Sequence, residues 1–219
     1  MKTKMMLTFA TAISALMLST AGFSGDAAKS ELSGIWDMSQ FGRNGHPRNP
    51  KLTDVGQARF DDFSPDKDPN LKCVMPGVPL GVYDPYPLEI IEQDHQVVFL
   101  YEHFHMVRRI FLDGREADAD VPPTLVGFSV GHWEGDTLVV KTTNMQENLM
   151  WNNGRPFSGS EDTYMIEHYR REGDLLVFDA TVYDSENYEE PYRITGQRQF
   201  NPEGEIFEYE CYAEYGGVE

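Results

Sequence analysis

The chain has 219 residues, with 36 aspartates and glutamates against 18 lysines and arginines, a formal net charge of −18. A field of that sign repels nucleic acid and anionic membrane surfaces and favours neutral or cationic partners, so nucleic-acid binding is set aside. The two cysteines, Cys73 and Cys211, lack CxxC spacing, which argues against a redox or zinc motif.

Taken in chain order, the first residues read as a secretory signal. Lys2 and Lys4 precede an uncharged apolar run from Met5 to Leu18, and Ser19-Thr20-Ala21 is a small-residue cleavage site. The run is short of the roughly 20 apolar residues a spanning helix needs. The expectation is a signal peptide over 1–21 and a single β domain over 22–219, periplasmic or secreted and not inserted in a membrane. In an exported chain Cys73 and Cys211 most simply pair, the alternatives being two separate thiols or one catalytic cysteine.

"LSGIWDM" predicts a first strand at Ile35 and Trp36. A long surface segment rich in Pro, Gly, Asn and Asp follows over 42–87. Within it Thr53 is placed to cap a short helix over 54–63, with Asp54 in the first turn. From residue 88 the pattern is β, with strands expected at 88–92, 96–111, 125–133, 137–145, 163–171, 175–184, 192–200 and 205–213. "HWEGDTLVV" and "RREGDLLVF" share a Glu-Gly-Asp hairpin turn, with Gly135 and Gly173 free to take positive φ. Consecutive hairpins make an antiparallel meander, and closing it removes exposed edges.

Strand alternation over 96–111 places Phe99, Tyr101, His103 and His105 on one face, with Arg109 continuing it. Three readings of the two histidines stand open. They are two ligands of a metal site that still lacks a third, acid/base groups titrating near neutrality, or hydrogen-bonded members of a cavity wall. Glu167 in "YMIEHYRR" is expected to pair with Arg109 or to serve as a general base, with Tyr101 as a hydrogen-bond donor. Gly127, Ser129 and Gly131 share a face whose small side chains let something bulky approach the backbone, either a core aromatic or a ligand. The segment 144–161 carries Trp151 and other apolar residues in a polar surround and reads as a flap over one end. No nucleophile elbow, P-loop, dinucleotide fingerprint or HExxH motif occurs, so no cofactor or metal is expected.

Two resemblances extend this reading. Gly34-Ile35-Trp36 resembles the Gly-x-Trp start of lipocalin-like barrels. That likeness implies a barrel holding one small apolar ligand, with Arg198 packed across Trp36. "LTDVGQARF", "DPNLKCVMPGVP", "PLEIIEQDHQVVFLYE", "RRIFLDGR", "FSVGHWEGDTLVVKTT" and "EHYRR", in that order, resemble a family of exported bacterial proteins of unassigned function. Related chains tend to read "GHSVGRWEGDTLVVDTTGFND". This chain departs from them at Asn144-Met145-Gln146-Glu147, at Gly159 where a loop histidine is usual, and at Tyr212 in a histidine position. Any chemistry those positions perform in relatives is changed or lost here. The fold expected is all-β, an antiparallel meander closed into a lipocalin-like barrel or curved sandwich with one short helix. Two functions follow as expectations. One is binding of a neutral or cationic apolar small molecule by Phe99, Arg109, Gly127, Ser129, Gly131 and Trp151. The other is a cofactor-independent acid/base enzyme (isomerase, hydratase or dehydratase, cyclase or hydrolase) using His103, His105, Glu167 and Tyr101 in the same cavity.

Overall fold

A computed structural model describes residues 31–38, 50–151 and 154–212, with the side chains of Met150 and Trp151 outside that description. The expected signal segment 1–21 and the stretch 39–49 of the expected long loop, His46 included, lie outside the described residues, as does the side chain of the candidate Trp151.

The strands are β1 (Gly34–Met38), β2 (Leu88–Glu92), β3 (Gln96–Tyr101), β4 (Val107–Phe111), β5 (Phe128–Glu134), β6 (Thr137–Thr143), β7 (Asn148–Trp151), β8 (Arg155–Phe157), β9 (Tyr164–Glu172), β10 (Leu175–Tyr183) and β11 (Tyr192–Phe200). Nine of them close a barrel in the order β1–β11–β10–β9–β6–β5–β4–β3–β2. The period-two pattern explains why: Leu176, Phe178, Ala180 and Val182 on β10 and Met165, Glu167 and Tyr169 on β9 are buried inside, while their neighbours along each strand are not. Trp36, Phe99, Tyr192 and Phe178 are among the largest apolar groups in this core. Each contributes about 1.5–3 kcal/mol on burial.

The barrel is mixed rather than a pure meander. β4 and β5 run parallel, in register only at Ile110↔Ser129 and Phe111↔Val130. A parallel join requires residues 112–127 to carry the chain back along the height of the barrel. The strand expected over 96–111 is therefore two, β3 and β4, folded back at 102–106. β6 pairs with β9 and leaves β7 and β8 as a separate hairpin.

The two ends differ. One carries the short hairpin turns 93–95, 135–136 and 173–174, where Gly135 (φ 65°) and Gly173 (φ 63°) take the left-handed conformation their shared Glu-Gly-Asp turn requires. This end is closed by Trp36, whose indole N–H donates to the Leu32 carbonyl at 2.8 Å. A cation covers it, but from β9 and not β11: the Arg171 guanidinium lies 5.3 Å from the Trp36 ring centre and 4.5 Å from that of Phe200. Arg198, the residue implied for that role, points to the other end of the barrel, toward the backbone of Asp84 and Tyr86.

That other end carries the long connections. Helix α1 (Asp54–Asp62) is capped as expected, with the Thr53 hydroxyl accepting from Gly56 N at 3.0 Å and Asp54 in the first turn. Its Arg59 holds the 184–191 loop through Asn187 Oδ1 (2.8 Å) and Glu186 Oε1 (2.5 Å). A short helix α2 (Val78–Gly81) is buried throughout. The segment expected as a flap is packed instead, with Met145 and Phe157 buried in the core.

The expected last strand over 205–213 is not formed in its described part, 205–212. β1 and β11 already pair, so no edge remains for another strand to join. The chain instead runs up the outside of the barrel, held by Asn201 N to Ile35 O, Phe207 N to Glu102 Oε2 and Tyr209 N to His105 Nε2. Cys211 then bonds Cys73, the pairing favoured for an exported chain.

Candidate functional site

Inside the barrel a buried ion pair takes the centre. Arg108 on β4, 1% exposed, meets Glu167 on β9, 0% exposed. Nη1 donates to Oε1 at 2.9 Å and Nη2 to Oε2. Nε donates to Ser129 Oγ (2.9 Å) and Nη2 also to Thr142 Oγ1 (2.5 Å), while the Tyr169 hydroxyl donates to Glu167 Oε1 at 2.6 Å. Burial works against the Arg108 charge, but the adjacent carboxylate outweighs it and holds the guanidinium above its ordinary range.

The partner of Glu167 is therefore Arg108 and not Arg109, which is exposed. The turn at 102–106 shifts the alternation by one residue. Odd-numbered positions face inward on β3 and even-numbered positions on β4. Phe99 and Tyr101 keep their predicted inward face. The Phe99 ring packs edge-on to Tyr169 at 5.1 Å, and the Tyr101 hydroxyl is buried without a hydrogen-bond partner among the described residues. The small face on β5 admits protein, not a ligand: Ser129 takes the Arg108 Nε–H, and a Cβ at Gly131 would meet Ile110 at 2.8 Å. Gly127 lies just before β5 against Met145 and Thr143.

The same turn moves both histidines out of the barrel. Phe104 (φ 56°) and His105 (φ 50°) take left-handed backbone in succession, a costly arrangement for non-glycine residues. His105 is exposed and its Nε2 accepts from Tyr209 N at 2.6 Å. His103 turns into a cleft of about 570 Å³ at the long-loop end, walled by Leu80, Tyr83, Tyr86, Phe104 and Tyr209 with Asp68 and Asp84. His103 Nδ1 bonds Asp84 Oδ2, whose carboxylate is 4% exposed, and Asp84 Oδ1 accepts from Tyr86 N at 2.9 Å. Tyr86 stacks on the imidazole at 4.6 Å, and Tyr209 stands edge-on to it at 4.8 Å. Arg198 lies beneath the floor, donating to the Asp84 and Tyr86 carbonyls at 2.8 Å each. Burial pushes the Tyr209 phenol upward, with Tyr86 and Asp84 adding to the effect.

Chemically, a carboxylate on Nδ1 fixes the ring's orientation and makes Nε2 the basic nitrogen of neutral His103. The aromatic walls offer apolar area and π faces. Of the candidate residues that the sequence singles out, the fold brings Tyr101, Phe99, Glu167 and Ser129 together in the barrel and His103 alone into the cleft. Asp84, Tyr86, Phe104 and Tyr209 are not among those candidates. "DPYP" holds a usable signal, since an aspartate two residues before a turn amide is placed to accept from it. Tyr209 has none, because the alternation around it reads as a strand. Among the described residues no group of three or more His, Cys, Asp or Glu side chains is arranged to hold a metal ion, and no helix is long and apolar enough to cross a membrane.

Comparison of the chain with protein-family models and with curated proteins finds no match in either.

Proposed function

We propose that this protein binds a neutral or cationic small molecule with apolar surface, in the cleft at the long-loop end rather than within the barrel. The observation that carries the reading is the cleft itself: about 570 Å³ walled by aromatic side chains and carboxylates, with His103 held by Asp84 at its side. Such a volume falls in the range of small-molecule sites. The barrel interior is no competitor, since Arg108, Glu167, Tyr169, Phe99 and Phe178 fill its centre. Export to a periplasmic or secreted location accompanies this reading, supported by the signal-like opening and the Cys73–Cys211 bridge. So does membership of the exported bacterial family and lipocalin-like group that the sequence resembles.

The test is an NMR and thermal-shift screen of native protein against lipids, terpenoids, steroids and small aromatics. A binder at 100 times its Kd raises stability by about 2.7 kcal/mol and perturbs Tyr86, Phe104 and Tyr209. No response to the panel, or responses confined to other surfaces, sinks the reading.

A second reading rests on the His103–Asp84 pair and the strained turn that presents it. His103 is the proton-transferring group of a cofactor-independent reaction, and Asp84 its positioning residue. Replacing His103 by Gln would then abolish turnover of a bound substrate and leave its affinity within a few-fold. Undiminished turnover in that variant removes the enzyme reading and leaves the binding one.

A further inference from the structure

The polar groups of the cleft are mainly acceptors, in part already paired: Asp84 accepts from Tyr86 N and His103 Nδ1, and Asp68 Oδ1 from Asn70 N. Asp68 and Asp84 line it, both largely buried, and Asn70 beside them carries a buried amide oxygen with no hydrogen-bond partner among the described residues. No lysine or arginine is among its lining residues, and their one basic side chain, His103, is held by Asp84. The nearest cation in the floor, Arg198, spends two N–H groups on the Asp84 and Tyr86 carbonyls and remains beneath them. Tyr86, Phe104 and Tyr209, which pack on one another, line the same cleft. The unpaired Asn70 oxygen costs free energy, the two carboxylates carry negative charge, and aromatic faces attract cations. A ligand that supplies N–H donors and positive charge on an apolar body answers all three. A carboxylate ligand answers none and meets like charge.

Resting on the cleft reading above, we infer that the ligand is an organic ammonium: an arylalkyl amine whose N–H groups face Asp68, Asp84 and Asn70 Oδ1 and whose body lies against Tyr86, Phe104 and Tyr209. The chain's net charge of −18 draws such a cation toward the protein before contact.

Three probes of matched shape separate charge from shape: 2-phenylethylammonium, 2-phenylethanol and phenylacetate, titrated into oxidised full-length protein near neutral pH and followed by NMR. The ammonium is expected to bind at least about 10-fold tighter than the alcohol, a 1.4 kcal/mol preference, and phenylacetate to bind weakest. Added salt narrows the preference. Asp68→Asn keeps the acceptor for Asn70 N and loses the charge. It is expected to weaken ammonium binding several-fold and leave the alcohol unchanged. Asp84→Asn, which also loosens His103, is expected to weaken ammonium binding more than alcohol binding. Equal binding of ammonium and alcohol at Tyr86, Phe104 and Tyr209 overturns the ligand class while the cleft reading stands. Silence of these resonances toward all three probes overturns the ligand class as well, and together with silence toward the wider panel removes the cleft reading too.

Discussion

Replacing Glu167 by Leu tests how far the buried Arg108–Glu167 pair holds the barrel's centre. The carboxylate is wholly buried and accepts from both Arg108 terminal nitrogens and from the Tyr169 hydroxyl. Its loss leaves a guanidinium that is 1% exposed facing only the Ser129 and Thr142 hydroxyls. Breaking a buried pair in this way costs about 3–5 kcal/mol. The orphaned Tyr169 hydroxyl adds about 1–3 kcal/mol. With a urea slope near 2 kcal/mol per molar, the midpoint falls by about 2 M or more. The Arg108→Met/Glu167→Leu double variant removes both charges and is expected to regain at least half of that loss. The cycle, read by urea denaturation, should return a coupling above about 2 kcal/mol. A single variant within about 1 kcal/mol of the parent, or a double variant worse than either single one, would falsify the account of a dry, mutually dependent pair.

Reduction of Cys73–Cys211 opens a 138-residue loop and is expected to lower stability by about 5 kcal/mol on the chain-entropy account, measured by denaturation with and without reductant. It also frees Tyr209 from the cleft wall, so ligand-induced stabilisation should shrink in the same samples. Burial raises the phenols of Tyr101, Tyr169, Tyr188 and Tyr192. Groups raised on folding contribute stability that is intact below the unfolded value near 10 and is lost as pH climbs toward the folded values. Unfolding free energy should therefore fall by about 1.4 kcal/mol per pH unit per tyrosine above pH ~10. Tyrosinate absorbance from these four should rise only with the unfolding transition. Gly56→Ala in α1 reverses the usual helix preference: its Cβ would lie 2.1 Å from the Asn187 carbonyl, so thermal denaturation should show a loss where propensity alone gives about 1 kcal/mol of gain.

Legibility in the sequence followed locality. β2 and β11 fall on their expected residues, and α1 begins after its Thr53 cap, because alternation and capping are properties of neighbouring residues. The all-β class followed from consecutive hairpins, which left barrel and curved sandwich open, and the parallel β4–β5 join of the closed barrel has no local signal. What misled was a run without glycine or proline, "YEHFHMVRR", that nonetheless turns. Its non-glycine left-handed residues leave no mark in a pattern of side-chain types, and one unrecognised turn displaced the inferences drawn from this run. It sent the histidines inward, preferred Arg109 to Arg108, and hid the true neighbours of His103. Likewise "IFEYECY" alternates like a strand, yet tertiary closure left it no edge to join. The cleft draws on residues 38, 68, 70, 71, 80, 83–86, 103, 104 and 209, a set assembled by topology and out of reach of any window along the chain.

The uneven lengths of the strand pairings carry one more consequence. β9 and β10 are matched over nine positions, whereas β4 meets β5 over two and β1 meets β11 over three. β1 meets β2 over three positions as well, so the shell is thinnest at the β4–β5 join and on both sides of β1. A buried arginine spans each of these regions. Arg108 reaches from β4 across the β4–β5 join to Ser129, Thr142 and Glu167, and Arg198 reaches from β11 past β1 to the carbonyls ahead of β2. Two guanidinium groups thus tie the shell where its backbone pairing is shortest, and the second of them underlies the very floor on which a guest would rest.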